Sequence, residues 1–189
     1  GTTVYFHATS GANAAIRMVS TTGGGVTDLH AGAGTGTTHY FTIGGTQVYY
    51  YDALAQKVAR RPAGGGGAIF ASHIYFDVQR LVLGSNNTLY FSQGGNIRQL
   101  PNANTAAGLI ATEPVNGISH VYNMQIEGNN LYVKTGGTVR RYNVTLLGQA
   151  AAITELALNG LQSYQTLLLD GQHIYYSDFT GAGIGKIQK

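Results

Sequence analysis

Five segments of this chain resemble one another at nearly equal intervals. Each begins with an aliphatic residue followed by tyrosine, and the five first residues are Val4, Val48, Leu89, Leu131 and Ile174. Successive starts are 44, 41, 42 and 43 residues apart. The two most similar copies read LYFSQGGNIRQL from residue 89 and LYVKTGGTVRRY from residue 131. A repeat of this length constrains the fold, because each unit must be one supersecondary structure that packs against its neighbours.

Each unit of about 42 residues can be interpreted as four short strands, which we name A to D from the innermost outwards. Strand A carries apolar side chains at every second position, which is the period of a strand. A turn rich in Gly, Asn and Asp leads to strand B, which is the repeated segment, and a second hairpin leads to strand C. Strands A are expected at 40–43, 80–83, 123–126 and 166–169, and the weaker strands D at 26–30, 68–72, 109–113 and 153–158.

This pattern predicts an all-β fold, a β-propeller built from four-stranded blades of about 42 residues. The chain begins in strand B of one unit and ends in strand C of another, so about 4.5 repeats are present. We interpret residues 1–189 as a single domain. Two arrangements fit this count, a ring of five blades or an arc of a larger propeller. The arc is favoured because the first unit lacks strand A and the last lacks strand D, which leaves strand edges that invite association.

The second residue of the repeated segment is tyrosine in all five copies. These residues are Tyr5, Tyr49, Tyr90, Tyr132 and Tyr175. Identical residues in one register favour a repeated packing role, in which the ring fills the space between adjacent blades and the hydroxyl reaches a polar group. The alternative is a ring of tyrosines that is exposed to ligands.

The composition indicates a neutral, polar surface. Charged residues make up 10% of the chain, compared with about 25% in an ordinary soluble domain. This favours a secreted or cell-surface protein, with a bacterial extracellular or periplasmic location. The net charge of +3 is not concentrated in one segment, which argues against nucleic-acid binding. No apolar run reaches the roughly 18 residues that span a bilayer, so we expect no membrane insertion, and we recognise no signal peptide.

The sequence contains no motif that indicates catalysis or metal binding. It has no cysteine, and none of its six histidines has the spacing of an HExxH metal site. Its eight carboxylates include no pair with catalytic spacing, and no GxSxG motif marks a nucleophile. We therefore predict no catalytic residue, no metal ligand and no cofactor, and we favour a non-enzymatic role.

The candidate ligand-binding residues lie in the loops that precede strand A. Binding residues concentrate on loops that a rigid scaffold positions, and these loops differ between the repeats. Aromatic, His and Gln side chains there can stack on polar neutral ligands such as sugars and hydrogen-bond to them. The candidates are His39, Tyr40, Arg80, His120, Tyr122, Tyr164 and Gln165. The alternative is that these are ordinary solvated loop residues.

The second and fifth repeats resemble the YWTD-type blades of low-density-lipoprotein-receptor-like propellers and their bacterial relatives. The segments VYYYD from residue 48 and IYYSD from residue 174 are each followed by an aliphatic and a basic residue. Tyr or Phe stands where that family has Trp, and the Asp is present in two of the five copies, as Asp52 and Asp178. The resemblance implies a propeller that acts mostly as a binding platform, with the Asp side chain bonded to nearby backbone.

Three functions follow from these observations as alternatives. The first is an extracellular, lectin-like module that contacts glycan or protein through a face of the propeller. The second is a structural component of a larger surface assembly, formed by self-association or with the missing blades of a longer chain. The third is a propeller hydrolase or lyase with its active residues at the mouth of the channel, which the scattered carboxylates disfavour.

Overall fold

The computed structural model describes residues 2–10, 13–31, 40–70, 76–85, 87–101, 103, 112–115, 118, 120–135, 138–147, 153–157, 166–178 and 183–189. All regular elements among these residues are β-strands, and the all-β prediction is confirmed. The strands form five antiparallel sheets, in which neighbouring strands follow one another along the chain. We number the sheets 1 to 5 in chain order.

The bounds of the strands are as follows. Sheet 1 comprises β1 (Thr3–Ser10), β2 (Asn13–Ser20) and β3 (Thr27–Ala31). Sheet 2 comprises β4 (Phe41–Gly44), β5 (Gln47–Asp52), β6 (Lys57–Pro62) and β7 (Ile69–Phe70). Sheet 3 comprises β8 (Val78–Leu83), β9 (Leu89–Gln93), β10 (Asn96–Leu100) and β11 (Thr112–Val115). Sheet 4 comprises β12 (Asn123–Glu127), β13 (Asn130–Lys134), β14 (Thr138–Asn143) and β15 (Ile153–Ala157). Sheet 5 comprises β16 (Leu167–Asp170), β17 (His173–Asp178) and β18 (Gly183–Gln188).

The sheets differ in the number of strands that the described residues form. Sheets 2, 3 and 4 have four strands, whereas sheets 1 and 5 have three. A four-stranded unit is therefore not established along the whole chain, and the number of blades stays a prediction. The described residues form two compact units, one up to Phe76 with sheets 1 and 2, and one from Asp77 with sheets 3, 4 and 5.

The five sheets share one register between strands B and C. In sheet 4, for example, the second residue of strand B, Tyr132, lies opposite Arg141 of strand C. The fourth residue of strand B lies opposite the conserved aliphatic position of strand C in every sheet. These pairs are His7 with Ile16, Tyr51 with Val58, Ser92 with Ile97, Lys134 with Val139 and Ser177 with Ile184. Because side chains alternate along a strand, each sheet has two distinct faces.

We define the tyrosine face of a sheet by the second and fourth residues of its strand B, and the aliphatic face by the first and third. The tyrosine face of sheet 3 contributes Tyr90 and Ile97 to a buried cluster. The aliphatic face of sheet 4 contributes Leu131, Val133 and Tyr142 to the same cluster. Burial of such side chains stabilises the fold by about 1.5–3 kcal/mol each.

The tyrosine of strand B packs between consecutive sheets, as its repetition predicts. Tyr90 and Tyr132 are buried in clusters that include residues of the following sheet. The Tyr5 hydroxyl donates a hydrogen bond of 3.2 Å to the carbonyl of Ala63, which follows the last residue of β6. Tyr175 differs, since it is only partly buried and its hydroxyl interacts with the Asp170 carboxylate.

The turns and the Asp residues behave largely as the sequence indicates. Gly45 and Gly128, in the turns between strands A and B, have positive φ. Asp52 Oδ1 accepts hydrogen bonds from the amides of Leu54 and Ala55 at 3.0 and 2.9 Å, so this carboxylate caps the turn between β5 and β6. The pattern agrees with the backbone-bonded Asp that the family resemblance implies.

Strand D of sheet 3 was predicted at 109–113, but β11 spans Thr112–Val115. Residues 109–111 lie outside the described residues, and at the other end the strand extends two residues beyond the prediction, through Pro114 and Val115. In β11 this proline lies between the pairs Gln99–Thr112 and Ile97–Val115, where the register with β10 shifts. A bulge at the edge of a sheet tolerates a residue without an amide hydrogen.

Candidate functional site

Arg80 and the segment before β12 come together within the second unit. Arg80 Nε donates a hydrogen bond of 2.6 Å to the carbonyl of Tyr122, and its Nη1 donates to the carbonyl of Gln79 at 2.8 Å. Its amide donates to Ser92 Oγ at 3.1 Å, where the pairing of β8 with β9 is irregular. The guanidinium of Arg80, on strand A of sheet 3, is thus fixed against the segment that precedes strand A of sheet 4.

His120 and Tyr122 form an aromatic pair beside this arginine. Their ring centroids are 4.8 Å apart and the ring planes meet at 67°, an edge-to-face arrangement. This geometry is the favourable one for aromatic rings. His120 is exposed and Tyr122 is partly buried, so the pair presents both a ring face and ring nitrogens at the surface.

Lys134 lies beneath Tyr122 at the end of β13. Its side chain is buried, and Nζ donates a hydrogen bond to the carbonyl of Thr135. Nζ is 5.8 Å from the centroid of the Tyr122 ring, within the range of a cation–π contact. The amide of Tyr122 also donates to the carbonyl of Lys134 at 2.9 Å. Burial lowers the pKa of the Lys134 ammonium, because a low-dielectric environment disfavours its charged form.

Buried neighbours determine the path of the segment that carries His120 and Tyr122. Ile118 and Val121 both belong to the buried cluster between sheets 3 and 4. The amide of Ile118 donates a hydrogen bond of 2.8 Å to the carbonyl of Gly95, in the turn between β9 and β10. Between these two anchored apolar side chains, His120 is exposed at the surface.

We define the site cluster as Arg80, Ser92, His120, Tyr122 and Lys134. It combines two aromatic rings with guanidinium, ammonium, imidazole and hydroxyl groups. Lys134 and Ser92 are buried and support the other three, whose aromatic rings can stack on an apolar ring face and whose imidazole can hydrogen-bond to oxygen atoms of a ligand. The sequence predicted three of the five members, Arg80, His120 and Tyr122.

The other four predicted residues are not members of the site cluster as we define it. Tyr40 belongs to the first unit, where it is partly buried and its carbonyl accepts a hydrogen bond of 3.2 Å from the amide of Tyr51. His39, Tyr164 and Gln165 lie outside the described residues. Whether these four positions bind ligand stays a prediction.

Ser92 and Lys134 were not predicted as site residues, because they lie in strand B and not in a loop. Both occupy its fourth position, on the tyrosine face. A signal was present in the sequence, since the second position is always tyrosine whereas the fourth position varies. The five residues at this position are His7, Tyr51, Ser92, Lys134 and Ser177.

Two further properties concern metals and membranes. Within the described ranges, no three His, Asp or Glu side chains are grouped so that they could hold a metal ion. No helix among the described residues is long and apolar enough to cross a bilayer.

The chain is similar to solved structures but not to any known family by sequence. No family model matches it, and no curated protein matches it. A chain in the structure of the nidogen/laminin complex is similar to this chain, with a TM-score of 0.77 and 13% sequence identity. The matched region spans 99% of this chain and 72% of the other.

Two lyases show the same likeness. A catalytically inactive virginiamycin B lyase from Staphylococcus aureus, solved with quinupristin, has a TM-score of 0.58 and 13% identity, over 99% of this chain and 74% of the lyase. A streptogramin B lyase has a TM-score of 0.60 and 14% identity, over 98% of this chain and 72% of the lyase. At such identities the likeness shows the fold alone, which is that of β-propeller proteins.

Proposed function

We propose that this chain is an extracellular binding module of lectin-like character, which contacts glycan or protein through the surface formed by the site cluster. The observation that supports this is the edge-to-face pair of His120 and Tyr122 beside the Arg80 guanidinium. The groups come from two separate segments of the chain, and buried neighbours anchor the segment that carries both rings. A preorganised surface of this kind reduces the entropy that a ligand must overcome on binding.

The chemistry of the cluster favours a ligand rich in hydroxyl or carboxylate oxygens. The ring of Tyr122 offers a stacking surface, and the exposed imidazole of His120 offers a donor and an acceptor. A sugar presents an apolar ring face and a rim of hydroxyls, which matches this combination. A protein ligand would instead place an aromatic or carboxylate side chain there.

The comparisons support a binding role without selecting a ligand. One neighbour was solved as the nidogen/laminin complex and two others are named as lyases, so this fold serves both kinds of function. Membership of the YWTD-type family, and secretion or display at a bacterial cell surface, form part of the proposal. The low content of charged residues supports such a location.

The proposal can be tested with a glycan array followed by calorimetric titration of the glycans that bind. We expect His120→Ala and Tyr122→Ala each to weaken binding by about tenfold or more, since one stacking contact contributes about 1–3 kcal/mol. His173→Ala is the matched control, because His173 is a partly exposed histidine on β17 outside the site cluster. Equal binding by the His120, Tyr122 and His173 variants, all folded, would refute the assignment of the site.

A second candidate function is a structural role in a larger surface assembly. The observation that favours it is the exposure of Ile184, which is 79% accessible on the tyrosine face of sheet 5. Leu168, 63% accessible, lies on the same face, and apolar side chains exposed together, unlike single ones, are typical of a surface that a partner covers.

A further inference from the structure

Three basic side chains border Tyr122. The Arg80 guanidinium donates to the Tyr122 carbonyl at 2.6 Å, and the Lys134 ammonium lies 5.8 Å from the centroid of the Tyr122 ring. The imidazole of His120 meets the same ring edge to face, with the two centroids 4.8 Å apart. The ring on which a ligand would stack is therefore surrounded by groups that carry or can accept a positive charge.

The acidic residues of sheets 3 and 4 lie away from this ring. Glu113 and Glu155 belong to β11 and β15, the outermost strands, which lie three strand spacings, or about 14 Å, from strand A of the same sheet. Glu127 is the last residue of β12, at the end opposite to the site cluster. Asp77 precedes β8 at the near end, and its carboxylate accepts hydrogen bonds from the Gln79 amide at 3.2 and 3.3 Å. One carboxylate at this end is therefore outnumbered by three basic side chains, which gives the site cluster a positive potential.

The burial of Lys134 makes its charge more effective. The side chain is 0% accessible, and a charge in a low-dielectric environment attracts an opposite charge more strongly than a charge in water does. Burial also lowers the pKa of this ammonium, because desolvation disfavours its charged form. A negative charge nearby favours the charged form, so an anionic ligand and the proton on Lys134 should stabilise each other.

The accessible part of the site cluster suits a sugar that carries a carboxylate. The ring of Tyr122 is partly buried and can stack on the apolar face of a pyranose. His120 is exposed, and its imidazolium form can donate a charge-assisted hydrogen bond to a carboxylate. A neutral sugar would use the ring and the imidazole but would gain little from the charges of Arg80 and Lys134.

We propose that the site cluster selects saccharides that carry a carboxylate, namely uronates and sialosides, over their neutral counterparts. The carboxylate would contact His120 and the sugar ring would lie against Tyr122, while Arg80 and Lys134 attract the negative charge from behind. This inference rests on the binding function proposed above, because it uses the same site. An acidic peptide has the charge but no pyranose ring, so stacking on Tyr122 favours the saccharide.

A glycan array that carries uronate- and sialate-terminated oligosaccharides beside their methyl esters tests the proposal, followed by calorimetric titration of each pair that binds. The ester keeps the sugar ring and removes the negative charge. At low salt we expect the Kd of each acid to be about tenfold or more below that of its ester. At about 1 M salt, where the Debye length is about 3 Å, this preference should shrink.

Substitutions separate the effect of charge from that of contact. Lys134→Met, or Lys134→Gln if the first variant does not fold, should lower the ratio of the two Kd values by about threefold or more. The ratio is informative because any effect that the variant has on both probes equally cancels in it. Lys186→Met is the matched control, since it removes the same charge from β18 of sheet 5, outside the site cluster, and should leave the ratio unchanged.

The outcomes distinguish this inference from the binding function itself. Acids and esters that bind equally, and that both need His120 and Tyr122, would overturn the preference for carboxylates and leave the proposed binding function intact. Binding that survives in His120→Ala and Tyr122→Ala would overturn both. The preference is also refuted if neither kind of probe binds, if hexaglutamate binds as tightly as the sugar acids, or if high salt leaves the ratio of the two Kd values unchanged.

Discussion

The turn between β9 and β10 offers a test of how the fold holds the site cluster. Gly94 and Gly95 are neighbours there, and both have positive φ, of 55° and 83°. A methyl group added at Gly94 would have no atom within 4 Å, whereas one added at Gly95 would lie 2.6 Å from the carbonyl oxygen of Ile118. Both glycines thus have a positive φ, which disfavours other residues, but a methyl group has room at Gly94 and none at Gly95.

The expected magnitudes follow from this difference. Alanine in the left-handed region costs about 1–2 kcal/mol at either position. At Gly95 the neighbouring backbone must also move, which adds an overpacking cost of about 1–3 kcal/mol and strains the hydrogen bond from Ile118 to Gly95. We therefore expect Gly94→Ala to lower the free energy of unfolding by about 1 kcal/mol and Gly95→Ala by about 3 kcal/mol.

Urea unfolding followed by the near-ultraviolet circular dichroism of the tyrosines measures both variants against the wild type. Ile118 anchors the segment that leads to His120 and Tyr122. Gly95→Ala should therefore also weaken the binding of a ligand to the site cluster, while Gly94→Ala should not. Equal losses of stability in the two variants would refute the reasoning, because they would show that the contact with Ile118 has no energetic consequence.

Three further predictions concern two tyrosine hydroxyls and a buried charge. Tyr5→Phe removes the hydrogen bond to Ala63 and should cost about 1 kcal/mol. Tyr50→Phe should be neutral or stabilising in the same unfolding assay, because no described atom bonds the buried Tyr50 hydroxyl and burial raises its pKa to about 12. Because burial lowers the pKa of Lys134 in the folded state, the unfolded chain binds more protons below the ordinary value near 10.5, and stability due to this group rises with pH. The stability of the wild type relative to Lys134→Met should therefore rise as the pH approaches the ordinary lysine pKa of about 10.5 from below, and a constant difference would contradict the assignment.

Strands A, B and C could be predicted because they depend on local patterns. Alternating apolar residues and turn residues that tolerate positive φ are properties of short segments, and both recur in the repeat. Strand D has a weaker pattern of alternating apolar residues than strand A, the other edge strand, so its ends depend more on its partner. The inclusion of Pro114 in β11 shows this, because a bulge against β10 tolerates a residue that the sequence indicates as a strand end.

The site cluster was only partly predictable for a different reason. Loops before strand A mark where ligand-binding side chains are expected, and Arg80, His120 and Tyr122 follow from that rule. Lys134 and Ser92 do not, because alternation assigns them to a face that is otherwise packed. The contact of Lys134 with Tyr122 lies within sheet 4, and that of Ser92 with Arg80 lies where the pairing of β8 with β9 is irregular. A repeat alone does not specify such local geometry.

The two positions of the tyrosine face explain how one repeat can provide both a scaffold and a variable surface. The second position of strand B is tyrosine in every copy, and Tyr5, Tyr90 and Tyr132 pack there against the following sheet, so these three cannot vary without loss of the contact between sheets. The fourth position lies on the same face, two residues nearer the turn, beside the start of strand A. In the second unit Ser92 there binds the Arg80 amide, and Lys134 there lies beneath Tyr122. Ser92 and Lys134 are buried, so exchange of the fourth residue acts on a ligand by changing how Arg80 and Tyr122 are positioned, while the tyrosine beside it keeps the sheets together.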